Sequence, residues 1–501
     1  MITRENKIKF LVSSGLLLCF IAVIQPWNLY FLNDDFVHIP LSTKSIWVHF
    51  EFFRPVPNIL TSLEVRLFGS HPLGFHIVSI VLHIIATFCV YKLCNQLIYH
   101  YHPGLQYNQA GFIAGCLFFI YPFHSEPVMW IIGRIGILAS IFIIASLILF
   151  LNRSRRSYYH YLSLLFFAVA LLTYEISWIV PVFITLLSIT DQDGFKKSFK
   201  RDFLHSLPYW LIFGIVLFIR SVVLQQLVTE YELSSRDVSL VSLTGNFFRL
   251  LARTLVPPAK ATTDFIILFV LAVAVLSVFL FFLFKSRRVR FLHILLLTLL
   301  SISYIPTISL GIDTHGSEGE RYLYLPSVFW ISFLAILLCE LPPRTGRYIT
   351  CSICFIYFIL LTNAASHYQH ASAVAKKLLS FIGNYSQSGK IIALNIPSNY
   401  KGALIFRSGF TEAVQWMHPQ LRADTVIVST AERTFHEIAS LDSTTKQNFD
   451  AFSEIKLQVV DGDNQRLFFK KEKISYNVRE DLLIFFDSNS KAGLVIYPTA
   501  Y

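Results

Sequence analysis

The sequence predicts a polytopic α-helical membrane protein with about eleven transmembrane helices and a small C-terminal extracytoplasmic α/β or α+β domain. Two observations predict this class. Of the 501 residues, 54% are hydrophobic and only 15% are charged, whereas soluble domains contain about 25% charged residues. Long apolar runs also recur along most of the chain, and about twenty such residues in a helix cross a bilayer core of roughly 30 Å.

Placing the basic clusters in the cytoplasm gives a topology of eleven crossings. The first apolar run follows Arg4, Lys7 and Lys9, and residues 25–28 lack the small residues of a signal-peptide cleavage site, so this run is interpreted as a retained anchor. The amphipathic stretch 240–256 is expected to lie at the membrane interface. The first, second, third, seventh and eleventh crossings are predicted at about 8–25, 74–97, 110–122, 206–224 and 348–366.

The composition also indicates which partners to exclude and where the chain divides into domains. The net charge of +11 comes from basic residues scattered between apolar segments, which is typical of membrane topology and argues against nucleic acid. Hydrophobicity falls after residue 370, so residues 1–370 are predicted to form the transmembrane domain and residues 371–501 a soluble domain outside the membrane. Strand-like runs in the latter lie at 391–396, 425–429, 456–460, 481–486 and 493–497.

Two adjacent carboxylates, Asp34 and Asp35, follow the first crossing. Because like charges repel near the headgroup plane, one of them is a candidate general base. The pair is also a candidate for holding a divalent ion. The alternative interpretation is an exposed turn with a capping carboxylate, and the spacing alone does not decide between them.

Further polar groups lie at the predicted outer ends of helices. His124, Glu126 and Arg134 follow the third crossing, and such groups are costly near lipid unless they face a cavity. Their alternative is a helix-capping turn with an ion pair. His76 and His83 are seven residues apart and share one helix face, and His83 is expected to be a packed, hydrogen-bonded core residue.

Two more motifs complete the set. Glu175 ends an apolar stretch and is either a site residue or an interfacial marker. Glu320, Arg321 and Tyr322 begin the tenth segment, where an arginine can hold a phosphate by two hydrogen bonds, although the tyrosine fits an interfacial belt equally well. Acidic groups and arginines thus converge on one face of the membrane, as transfer from a lipid phosphate requires.

These motifs occur in a recognisable order between residues 30 and 330. In that order and spacing the sequence resembles the GT-C glycosyltransferases, and within them the membrane half of the transmembrane-and-TPR protein O-mannosyltransferases and their bacterial relatives. The matching stretches are Asp34-Asp35, Phe53-Arg54-Pro55-Val56, Gly74-Phe75-His76, Tyr121 to Arg134, Tyr174-Glu175 and Glu320 to Ser327.

The resemblance implies a single inverting displacement at the anomeric carbon. Asp35 or Asp34 would take the proton of the acceptor hydroxyl. The departing lipid phosphate would be stabilised by Arg321, helped by Arg134 and His124. The residues implied in binding the acceptor or the sugar are Glu126, Glu175, Glu320, Tyr322, His76 and Arg54.

The expected partners are a polyprenyl-phosphate-linked sugar, with a mannose-like hexose favoured, membrane lipids, and an acceptor that is protein Ser/Thr, a glycolipid or a cell-envelope glycan. No cofactor is required. A divalent metal is compatible with the site, and Asp35 with His38 or His124 would then be its ligands. The expected location is a bacterial inner membrane, with the active site and the C-terminal domain facing the periplasm or exterior.

Two other functions are weighed against this one. A transporter or flippase of lipid-linked sugars predicts polar groups in the middle of helices, or inverted repeats, whereas the polar groups here cluster at outer helix ends and no repeat is found. A glycan polymerase would also use polyprenyl-linked sugar, but basic outer loops would be expected in place of the carboxylate pair.

Overall fold

The computed structural model describes residues 4–49, 52–102, 109–190, 199–226, 239–284, 290–383, 391–394, 396–421 and 426–428, together with short strands beyond them. The described chain forms two compact units. The first comprises residues 1–26, 42–67 and 74–365, and the second comprises residues 27–41, 68–73 and 366–501. The second unit thus takes residues 27–41 from the loop that carries Asp34 and Asp35.

Helices form most of the first unit because the apolar runs satisfy their backbone groups internally, as lipid requires. The helix Tyr324–Glu340 is buried along nearly its whole length, and it packs against Arg290–Ser303 and Ala110–Phe119. The α-helices of the described residues are Arg4–Ile24, Asp35–Ser42, Pro55–Phe68, Pro72–Tyr101, Ala110–Phe119, Ser125–Met129, Ile135–Leu151, Tyr158–Leu171, Val180–Ile189, Phe199–Leu224, Leu240–Leu255, Thr262–Phe284, Arg290–Ser303, Tyr324–Glu340, Pro343–Gly383 and Phe410–Met417.

The polytopic helical architecture predicted from the sequence is confirmed. Within the described residues, seven helices are long and apolar enough to cross a membrane, and a bent pair, Ala110–Phe119 with Pro122–Met129, raises the number to eight. Three further apolar helices are shorter: Tyr158–Leu171, Glu175–Ile189 and Thr262–Ser277. The topology of eleven crossings therefore stays a prediction. The amphipathic stretch forms the helix Leu240–Leu255, as the periodicity predicts.

The second unit contains mixed sheet. Strand Ile391–Leu394 lies between Leu482–Phe485 and Val426–Val428 and is parallel to both. Val495–Tyr497 adds an antiparallel edge to Leu482–Phe485. All five predicted strand runs contain an observed strand, although their outermost residues partly lie outside the described ones. A separate antiparallel sheet has the order Ile455–Asp461, Asn464–Phe469, Glu472–Asn477, and a short strand pair joins Asn399–Tyr400 to Ala403–Leu404. In the first unit, Val48–His49 pairs with Phe52–Phe53.

Candidate active site

The candidate site in the first unit lies where two elements meet: the bend after the helix Ala110–Phe119 and the turn before the helix Tyr324–Glu340. Tyr121 is extended and Pro122 follows, so the chain bends by 56° between Ala110–Phe119 and Pro122–Met129. Opposite it, Gly319 has φ +87°, a left-handed conformation that glycine adopts without strain. The 3₁₀ helix Glu320–Leu323 begins directly after this glycine.

This arrangement pairs Glu126 with Arg321. The backbone N–H of Arg321 donates to Glu126 Oε2 at 2.8 Å, and Arg321 Nη1 donates to Glu126 Oε1. Arg321 Nη2 donates to the Tyr322 hydroxyl at 2.9 Å. The guanidinium carbon also lies 4.7 Å from the Tyr322 ring centroid and 5.3 Å from that of Trp130. The Glu126 side chain is 2% exposed but that of Arg321 is 21% exposed, so the cation remains open to a ligand.

A second partly exposed guanidinium belongs to Arg54. Its Nε lies 3.0 Å from Glu175 Oε2 and its Nη2 donates to the same oxygen at 2.7 Å. Burial lowers the pKa of the Arg54 guanidinium, but the Glu175 carboxylate and the Tyr174 side chain together outweigh this effect, and the pKa is raised. The Arg54 guanidinium carbon lies 4.9 Å from the Tyr174 ring centroid. Arg54 and Arg321 are close enough for their charges to interact, so two partly exposed cations share one polar cluster.

The neighbouring carboxylate, Glu320, is held by a buried arginine from the amphipathic helix. Arg253 is fully buried, and its Nη2 donates to Glu320 Oε1 at 2.7 Å. It also donates to the carbonyl oxygens of Asp313 at 3.0 Å and Val256 at 2.9 Å. The Ser125 hydroxyl donates to Glu320 Oε2. This network fixes the turn that delivers Arg321, because Glu320 is the residue before it.

Arg134 lies in a separate buried ion pair with Glu64. Arg134 Nη1 donates to Glu64 Oε1 at 2.7 Å and to the Phe75 carbonyl oxygen at 3.2 Å, and Nη2 donates to Glu64 Oε2. Burial raises the pKa of the Glu64 carboxyl, while the Arg134 charge opposes the rise. Both side chains are almost inaccessible. This geometry supports a structural role for Arg134, and its predicted contact with the donor phosphate stays a prediction.

Glu64→Gln is expected to reduce the free energy of unfolding by about 1–3 kcal/mol, because Arg134 would keep one oxygen acceptor but lose the opposing charge. Reversible unfolding in mixed micelles measures this change. Arg66→Gln is the matched control, since Arg66 is exposed on the same helix. A raised KM for a lipid-phosphate donor in Glu64→Gln, without loss of stability, would contradict the structural role.

His76, His83 and His124 are buried, and His83 and His124 lie among aromatic rings. His83 Nδ1 lies 2.8 Å from the Tyr324 hydroxyl and its Nε2 lies 3.0 Å from the Phe119 carbonyl oxygen, so the packed role predicted for His83 is confirmed. His124 Nε2 lies 2.8 Å from Ser327 Oγ. His76 is fully buried. These contacts connect the bent helix to the start of Tyr324–Glu340, and the predicted ligand roles of His124 and His76 remain untested.

In the second unit, the two aspartates have different environments. Asp35 is fully buried, and its Oδ2 accepts a hydrogen bond from the Leu32 N–H at 2.9 Å. Asp34 is partly exposed and accepts a hydrogen bond from the Ser408 hydroxyl. Asp34 is therefore the more accessible carboxylate. Among the described residues, no group of three His, Cys, Asp or Glu side chains is placed to hold a metal ion, and the metal ligation suggested for Asp35, His38 and His124 stays a prediction.

Sequence reasoning missed Glu64, Arg253 and Ser408. A signal existed for the first two. Arg253 is seven residues from Asn246 and three from Leu250, and all three are buried, so a charge stands on the buried stripe of an amphipathic helix. Glu64 shares a buried face with Thr61 in the same way. Ser408 carries no comparable signal, because its partner lies 374 residues away along the chain.

Comparison with known proteins agrees with the motifs. No protein-family model matches the chain. A protein O-mannosyl-transferase of Caenorhabditis elegans is 37% identical over 97 residues, which are 19% of this chain and 14% of the relative. The chain resembles the protein O-mannosyl-transferases. The human protein O-mannosyl-transferase TMTC1 is 30% identical over 102 residues, 20% of this chain and 11% of the relative. The resemblance predicted from the motifs is confirmed, and it spans a small part of these relatives' length.

Solved structures show the fold. ArnT from Cupriavidus metallidurans bound to undecaprenyl phosphate has a TM-score of 0.50 at 10% identity, covering 85% of this chain and 86% of that one. The archaeal oligosaccharyltransferase AglB from Archaeoglobus fulgidus, in complex with an inhibitory peptide and a dolichol-phosphate, also has a TM-score of 0.50, at 12% identity over 85% of this chain and 65% of that one. The GT-C-like membrane fold predicted above is confirmed by these two likenesses.

Proposed function

We propose that this protein is an integral membrane glycosyltransferase that moves a sugar from a polyprenyl-phosphate donor to an acceptor hydroxyl outside the cytoplasm. The observation that carries the proposal is the pair of partly exposed guanidinium groups, Arg54 and Arg321, in one polar cluster of a membrane-embedded helical unit. Charged groups near lipid are costly unless they face a cavity, so such a cluster marks a functional site. Relatives named protein O-mannosyl-transferases support a mannose-like hexose as the sugar.

We assign the donor phosphate to Arg321, as the resemblance implies, and also to Arg54, for which the resemblance implies acceptor or sugar binding. Each guanidinium is oriented by a carboxylate, Glu126 or Glu175, and each is stacked on a tyrosine ring. Guanidinium groups suit phosphate oxygens because they present paired donors in a fixed plane. As the bond between the anomeric carbon and the phosphate oxygen breaks, the leaving oxygen takes the electron pair, and this pair of cations stabilises its negative charge.

The general base is assigned to Asp34. Its carboxylate would take the proton from the acceptor hydroxyl while the acceptor oxygen attacks the anomeric carbon, which inverts its configuration. Asp34 is preferred to Asp35 because it is partly exposed, whereas Asp35 is fully buried. Glu126, Glu175, Glu320, Tyr322 and His76 remain proposed groups for placing the sugar or the acceptor, and a divalent metal is not required because arginines can neutralise the phosphate.

The acceptor class and the membrane are further parts of the proposal. The likeness to protein O-mannosyl-transferases favours protein Ser or Thr, and a glycolipid or cell-envelope glycan is the alternative acceptor. We propose that the acceptor side faces the periplasm or exterior of a bacterial inner membrane, since the strongest basic clusters of the sequence lie between helices on the opposite side in the predicted topology.

Arg321→Lys tests the function at its donor site. In protein reconstituted into liposomes with radiolabelled polyprenyl-phosphate-mannose and an acceptor extract, wild type is expected to form labelled product. The lysine keeps the charge opposite Glu126 but loses the planar fork, so kcat/KM for the donor is expected to fall about 10–100-fold. Arg249→Lys, an exposed arginine, is the control. Label that changes leaflet but stays lipid-linked in wild type would instead support a flippase.

A further inference from the structure

Hydrogen bonds connect the segment that carries Asp34 to Ile405 and Ser408 in the C-terminal region. The N–H of Asn33 donates to the Ile405 carbonyl oxygen at 2.7 Å. In return, the N–H of Ser408 donates to Asn33 Oδ1 at 2.9 Å. The Ser408 hydroxyl donates to Asp34 Oδ1, and it also lies 3.1 Å from Asn33 Oδ1. We call Asn33, Asp34, Ile405, Ser408 and Gly409 the clasp.

Two residues of the clasp, Asn33 and Gly409, have left-handed backbone conformations. Asn33 has φ +47° and Gly409 has φ +78°, and Asn and Gly are the residues that adopt this left-handed region most readily. A Cβ atom at Gly409 would lie 2.8 Å from the Asn33 carbonyl oxygen and 3.0 Å from Val37 Cγ2. The two stretches of backbone therefore approach each other as closely as a glycine allows.

Aromatic packing holds the same two stretches together independently of Ser408. The ring centroids of Phe31 and Trp416 lie 4.9 Å apart, and those of Phe36 and Phe406 lie 5.7 Å apart. Phe31 and Phe36 are fully buried. These ring contacts and the hydrogen bond from the Asn33 N–H already hold the segment in place. We therefore expect the segment to keep its position without the Ser408 hydroxyl.

We propose that Ser408 is a positioning residue for the general base. Its hydroxyl fixes the orientation of the Asp34 carboxylate by binding Oδ1, which leaves Oδ2 to take the proton of the acceptor hydroxyl. A hydrogen bond to an ionised group is stronger and more directional than a neutral one, and a correctly oriented base raises the rate of the proton-transfer step. The inference rests on the proposed function, in which Asp34 is the base, and it assigns a task to the C-terminal region of the chain.

Ser408→Ala, Ser408→Thr and Ser372→Ala test the proposal in the full-length reconstituted protein. Ser372→Ala is the control because Ser372 is a buried serine of the same unit. Loss of the hydroxyl is expected to lower kcat for mannosyl transfer about tenfold, with little change in KM for the donor, because the base is misdirected while donor binding is untouched. Ser408→Thr keeps a hydroxyl and is expected to restore most of kcat.

Hydrogen exchange of the amides at 33–38 gives a readout that does not depend on turnover. Ser408→Ala is expected to leave the exchange of these amides close to that of wild type, which shows that the segment is still fastened while kcat falls. Unchanged kcat in Ser408→Ala overturns the proposal, and so does fast exchange over 33–38 in Ser408→Ala, because the hydroxyl would then be a structural fastener. The transfer assay tests the proposed function separately: absence of labelled product in wild type, or full activity in Asp34→Asn, would contradict that function and not the role of Ser408 alone.

Discussion

Asp34→Asn is expected to lower kcat for transfer about 10²–10⁴-fold, the contribution of a well-placed general base. The substitution preserves shape, and its amide oxygen can still accept the Ser408 hydroxyl, so the turn should keep its conformation. What disappears is the capacity to take a proton. Initial rates with radiolabelled polyprenyl-phosphate-mannose, normalised to folded protein, measure the effect.

Asp35→Asn provides the matched comparison, since it makes the same chemical change one residue away. Asp35 is fully buried and accepts a hydrogen bond from the Leu32 N–H, so its loss of charge is expected to cost about 1–3 kcal/mol of stability. Transfer per folded molecule should change little. If Asp35→Asn abolished transfer in a stable protein while Asp34→Asn remained active, the two assignments would be reversed.

Arg253→Met is expected to reduce the free energy of unfolding by about 3–5 kcal/mol, because it leaves Glu320 as a buried carboxylate without its cation. The carbonyl oxygens of Asp313 and Val256 would lose a donor as well. Arg253→Lys should be intermediate, since one ammonium group cannot reproduce the planar donors of a guanidinium. Reversible unfolding in mixed micelles measures all three proteins.

Two further variants isolate the cause. Arg249→Met removes an exposed arginine of the same helix and is expected to have little effect on stability. Adding Glu320→Gln to Arg253→Met should recover part of the loss, because the uncompensated charge is then removed. If Arg253→Met were as stable as Arg249→Met, the network would not hold the turn before Arg321.

Much of the fold could be predicted from local sequence. The apolar runs predicted the helices, since a helix satisfies its own backbone hydrogen bonds in lipid and needs no distant partner. The short strand-like runs after residue 390 predicted five strands, and each contains an observed one. Strands at Asn464–Phe469 and Glu472–Asn477 were not predicted, because polar and charged residues such as Gln465, Arg466 and Lys473 make up at least half of each segment.

The candidate site was predicted in part. Arg321, Glu126, Glu175 and Arg54 were named from motifs, and the structure brings all four into one polar cluster. Their pairing was not predicted, since Arg54 and Glu175 are 121 residues apart in sequence and Arg321 and Glu126 are 195 apart. The sequence also grouped Arg134 with Arg321, although the fold places Arg134 in a buried pair with Glu64.

The sequence by itself therefore determined the class of protein, the helices and the chemical types available for catalysis, because hydrophobicity and motif composition are local properties. Only the tertiary structure decided which charges are open and which are neutralised. Asp34 and Asp35 are neighbours with the same side chain, yet one is partly exposed and the other is fully buried. The physical reason is that the burial and partners of an ionisable group depend on chain segments far away in sequence, and these set the free energy of its charged form.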